Sequence, residues 1–146
     1  MKAALDQAGI VARHVQLERV DLVRSECVNR LDPLAAGRPL DVGISYQCDH
    51  EVRPSAGGPA RIVVSVDFEL TQDASEGQSA GQDTDKPEPD ILLRGTYRLV
   101  YRCTRQGPFP DDAVRAFTWL NGPYNAWPYW RELAQSTFAR MGLEGV

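Results

Sequence analysis

The stretch ILLRGTYRLVYRC, residues 91–103, alternates between two kinds of side chain. Ile91, Leu93, Gly95, Tyr97, Leu99, Tyr101 and Cys103 share one parity, while Arg94, Thr96, Arg98 and Arg102 share the other. A helix would scatter both sets around its circumference, whereas a strand sends successive side chains to opposite faces. The stretch therefore predicts a strand of an antiparallel sheet, with one face in a core and the other in water.

Two segments upstream repeat the pattern. From residue 61, Ile62, Val64, Val66, Phe68 and Leu70 face inward against Arg61, Ser65, Asp67, Glu69 and Thr71. From residue 40, Leu40, Val42, Ile44, Tyr46, Cys48, His50 and Val52 hold every even position. Between Val15 and Val28 the parity switches, with Val15 and Leu17 on one and Val20 and Leu22 on the other, so a β-bulge near Arg19 is expected to restore one face. Pro33, Gly37 and Pro39 mark the link to the following strand. The outward rows complement one another: Asp67 and Glu69 suit a place across from Arg94, Arg98 or Arg102, which favours a pairing order more than it adds stability.

Helices flank this series. Leu5, Ala8 and Ala12 carry a weak helical spacing through residues 1–14. After Pro108 and Pro110, Asp111 is expected to cap a helix through Leu120 with Val114, Phe117 and Leu120 as its stripe, and Asn121-Gly122-Pro123 to stop it. A second helix is expected from Pro128 to a C-terminal Gly142, burying Trp130, Leu133, Ala134, Thr137 and Met141. The expected fold class is α+β: a four-stranded antiparallel sheet with a short N-terminal helix and two C-terminal helices packed on one face.

Length suits one domain over residues 1–146. The start MKAALDQAGIVARH has no continuous apolar region of the secretory kind, and no apolar run approaches the roughly 18 residues that span a bilayer, so a cytoplasmic chain without membrane insertion is expected. Asp73, Glu76, Asp83, Asp85, Glu88 and Asp90 against Lys86 alone more than account for the net charge of −4. The polar stretch 73–90 is expected to be a disordered loop between strands.

Catalytic signatures are missing. There is no GxSxG, no phosphate-binding glycine loop and no HExxH. Cys27, Cys48 and Cys103 form no CxxC, and Cys48-Asp49-His50 offers too few ligands for zinc. The expectation is a protein without catalytic residues, cofactor, metal or nucleic-acid partner.

The series of strands followed by helices and by PYWRELAQSTFARMG resembles the SecB family of protein-export chaperones, whose last long helix opens with Pro-Tyr-x-Arg-Glu and carries a glycine near its end. The matching residues are Pro128, Tyr129, Arg131, Glu132 and Gly142, and the strand layout extends the likeness over roughly residues 15–143. The resemblance implies a dimer of dimers, or a smaller homo-oligomer, that binds unfolded polypeptide in long apolar grooves without ATP. It also implies partners such as the export ATPase or, in divergent members serving toxin–antitoxin systems, an antitoxin. Family members usually continue beyond that glycine with a tail rich in Pro and Leu, in place of Leu143-Glu144-Gly145-Val146 here.

Phe117, Trp119, Tyr124 and Trp127 are the expected client-binding residues, because aromatics at the break offer large area with few torsions to freeze. Two other readings of the same residues are a cup for a small apolar ligand and an interaction module dedicated to one partner.

Overall fold

The computed structural model describes residues 1–34, 41–72 and 89–143. Most of the acidic stretch 73–90 lies outside the described residues, as do Gly37, Pro39, Leu40 and the last three positions. The elements in chain order are α1 (Lys2–Ala12), β1 (Val15–Asn29), β2 (Val42–Arg53), β3 (Arg61–Gln72), β4 (Ile91–Cys103) and α2 (Asp111–Arg140). The strands form one antiparallel sheet in the order β1-β4-β3-β2, so β3 and β4 are central and β1 and β2 are its edges.

The fold differs from the sequence expectation chiefly at its C-terminal end: a single helix of 30 residues, about 45 Å long, replaces the expected pair. It runs through Asn121-Gly122-Pro123 and through Pro128 without a break. The reason is a ridge at four-residue intervals, Val114, Thr118, Gly122, Ala126, Trp130, Ala134 and Phe138, every member of which is buried. Gly122 is a site of close approach: a Cβ there would stand 2.9 Å from Cγ1 of Val64 and 3.3 Å from Cγ2 of Val66. Each proline removes one amide donor and costs roughly 3 kcal/mol in a helix interior. Burial of Val114, Phe117, Trp130 and Phe138, at about 1.5–3 kcal/mol each, outweighs that cost.

The ends of α2 are defined by the backbone. Pro110, not Asp111, is the N-cap, and Asp111 and Asp112 sit in the first turn, where the helix dipole favours acids. At the other end Gly142 takes a φ of 76°, Gly142 N–H donates to Ala139 O at 3.1 Å and Leu143 N–H to Phe138 O at 2.9 Å, a Schellman closure.

β3, β4 and α2 hold nearly all of the core, to which α1 adds Ala8 and Val11. No side chain of β1 or β2 is fully buried. On β4, Gly95 leaves a hollow for Trp130, whose indole stacks on Phe68 with centroids 5.2 Å apart and planes at 10°. β1 carries two register shifts, between Leu17 and Arg19 and between Leu22 and Arg24, and the first is the bulge that the parity switch implies.

The outer face of the sheet is an ionic lattice. Arg94 meets Glu69 at 2.8 Å and Glu26 at 3.6 Å, Arg98 meets Asp21 at 3.8 Å, and Glu18 lies between Arg61 at 3.2 Å and Arg102 at 3.7 Å. Asp67 is satisfied by the Thr96 hydroxyl, which donates to it. Exposed pairs of this kind contribute at most about 1 kcal/mol each, so the lattice specifies register.

Candidate functional site

α2 lies across β2, β3 and β4, and along the β2 edge it leaves the inward row partly open. The inward row of β2 therefore keeps Ile44, Tyr46 and Val52 about half exposed. Tyr46, 46% exposed, lies between Phe68, with centroids 6.2 Å apart, and Trp119, 6.1 Å away. Trp127 meets Phe68 edge-on at 6.1 Å. The buried Phe68 thus sits beneath a shell of exposed aromatics supplied by two elements, β2 and α2.

The four aromatics singled out in the sequence divide. Trp119 is 44% exposed and Trp127 43%, and four-residue spacing with Pro123 sets them along the flank of α2 that borders β2. Tyr124, 78% exposed, projects to solvent beside them. Phe117 is 1% exposed and packs edge-on against Tyr101, 4.9 Å away, so it lies in the core apart from the other three. Sequence reasoning missed Tyr46, Ile44 and Leu120. All three read as core residues; the position of β2 at the sheet edge exposes the first two, and Leu120 is 38% exposed on α2.

Polar contacts pin α2 over the sheet. The Tyr97 hydroxyl donates to the Tyr129 carbonyl at 3.1 Å, and Asn125 Nδ2 donates to the Tyr101 hydroxyl at 2.8 Å. Burial pushes both phenols up to about 12, with the Glu132 charge adding to the rise at Tyr97 and the Asn125 hydrogen bond opposing it at Tyr101.

At the other end of the groove, His50, Val52 and Val114 lead into a cleft of about 990 Å³ between the β2–β3 turn and the loop from β4 to α2. Cys48 lies along the same strand, and desolvation with the Asp67 charge pushes its thiol up to about 11, so it stays protonated and unreactive near neutral pH. Among the described residues no three His, Cys, Asp or Glu side chains gather as a metal site, and no helix is long and apolar enough to cross a membrane. What the site offers is apolar and aromatic area beside a strand edge.

No protein-family model matches the chain, and no curated protein does. Among solved structures, a SecB-like chaperone of Mycobacterium tuberculosis, in complex with a ChAD peptide from the HigA1 antitoxin, matches with a TM-score of 0.71 at 12% identity. The match covers 99% of this chain and 96% of that one. At that identity the likeness is one of fold: this chain has the fold of a SecB-like chaperone.

Proposed function

We propose that the protein is an ATP-independent chaperone that holds extended or unfolded polypeptide in the groove between β2 and α2. Trp119, Tyr124 and Trp127 form its contact surface, while Phe117, in the core against Tyr101, holds α2 on the sheet. The observation that carries this reading is the row of half-exposed Tyr46, Trp119 and Trp127 around the buried Phe68, in a chain of this fold. Exposed aromatic area of that kind marks a surface for adaptable contacts.

The fold neighbour's antitoxin peptide favours an antitoxin segment as the dedicated partner, ahead of general export clients. A homo-oligomer fits the same reading, because the other edge leaves Leu17 and Leu22 half exposed as well. The site is proposed to bind without a catalytic step.

The test is aggregation of a reduced, unfolded model protein, followed by light scattering without ATP. Equimolar protein should suppress the signal, and a Trp119→Ala/Trp127→Ala variant should lose most of that effect. Unchanged aggregation, or a double variant as effective as the parent, defeats the reading. The cleft of about 990 Å³ favours a second reading, a cup for a small apolar ligand, which a lipophile retained in native mass spectrometry would support.

A further inference from the structure

The two edges of the sheet are not equivalent. β1 is interrupted by register shifts near Arg19 and Arg24, and bulges of this kind twist an edge away from further pairing. β2 pairs one-to-one with β3 from Val42 opposite Gln72 to Arg53 opposite Arg61, with no shift. Its outer side is therefore a regular ladder of main-chain donors and acceptors, with no strand against it among the described residues.

The side chains along that edge differ on the two faces. On the inner face a strand laid beside β2 would extend the row of Ile44 and Tyr46 and come beside Trp119, which packs on Tyr46. On the outer face the ionic lattice stops short. Glu18, Asp21, Glu26 and Glu69 each have an arginine within 4.0 Å, whereas Asp49 meets no cation among the described residues and accepts only from the neighbouring His50 N–H at 2.8 Å. Continuing the cross-strand pairing by one strand calls for a cation opposite Asp49.

Resting on the reading of the groove as polypeptide-binding, we infer that the outer edge of β2 takes up an extended segment as a fifth strand, with apolar side chains on the parity facing α2 and an Arg or Lys on the other, opposite Asp49. Main-chain hydrogen bonds supply affinity independent of sequence, and the alternation of the segment supplies selectivity. A span of about ten residues matches the 12-residue strand. A second copy of β2 is the poorer occupant, since its Glu51 is already matched by its own Arg53 at 3.1 Å and it would bring a second unmatched Asp49 to the edge.

The probe is an end-capped, fluorescent ten-residue peptide alternating Val or Phe with Arg, titrated into the full chain and read by anisotropy. Two derivatives carry N-methyl groups on alternate residues, one on each parity. One derivative should bind about tenfold more weakly or worse while the other binds like the parent, because only one parity aims its amides at β2. Equal behaviour of the two derivatives overturns the edge pairing but leaves the groove reading intact. If neither the parent nor a scrambled peptide of the same composition binds, the groove reading itself fails. Asp49→Lys, at an exposed position, should weaken the Arg peptide about tenfold and favour a peptide with Glu in place of Arg. No change in that comparison overturns the basic class. A shift in oligomeric state on Asp49→Lys, seen by light scattering, assigns the edge to a second copy and overturns the proposal.

Discussion

Gly95 lies directly beneath Trp130: a Cβ at position 95 would stand 3.1 Å from Cε3 and 3.2 Å from Cζ3 of the indole, and 3.1 Å from Cδ2 of Leu133. Glycine inside a strand is ordinarily a weakness, and a β-branched replacement there should help. Here the missing side chain is what lets the helix lie on the sheet. Gly95→Val is expected to cost about 1–3 kcal/mol through overpacking, read as a lowered thermal midpoint by circular dichroism. An unchanged or raised midpoint would mean that the indole does not occupy the hollow.

The same logic reverses the usual rule for a helix glycine. Gly122→Ala should gain about 1 kcal/mol from propensity alone, yet its Cβ would meet Val64 at 2.9 Å. Net destabilisation is expected, and Val64→Ala should cost less in the Gly122→Ala background than in the parent. Additive costs across that double-mutant cycle would contradict the contact.

A continuous α2 makes a clear statement about Pro128, which is exposed and gives up little packing when replaced. Pro128→Ala restores an amide donor for the Tyr124 carbonyl and should stabilise the protein by up to about 3 kcal/mol, measured by denaturant unfolding. If the chain were broken between 121 and 127, the substitution would bring no gain.

Alkaline pH should weaken the anchoring of α2. Tyr97 and Tyr101 are held up to about 12 in the folded chain from an ordinary value of 10.0, so the folded state keeps protons that the unfolded state releases. Stability from these groups is fully present below about pH 10 and is lost as pH rises toward 12. Unfolding should accompany the rise in tyrosinate absorbance that marks ionisation of these two phenols. Tyr97→Phe should remove part of that pH dependence.

The strands were legible because β3 and β4 alternate cleanly and because the switch of parity between Leu17 and Val20 marks a bulge at Glu18. The second shift, beside Val23, was not legible, since Ser25 and Cys27 give little apolar contrast. The break in α2 was misread because Gly-Pro is a local signal, while the reason for Gly122 lies on β3, at Val64 and Val66. At the site, Trp119, Tyr124 and Trp127 stood out as aromatics that no core stripe claimed. Tyr46 did not, because alternation reports which face a residue takes and says nothing of where its strand stands in the sheet. Phe117 was placed with the exposed group, although its spacing from Ala113 puts both on a buried side of the helix.

The division between central and edge strands also bears on how such a chain can change over generations. The positions that hold the fold together are on β3, β4 and the helices, while the edge strands contribute no fully buried side chain. Substitutions along β2 can then alter the exposed surface at little risk to whether the chain folds. An architecture of this kind tolerates change along its edges, which suits a shape shared with a fold neighbour at 12% identity.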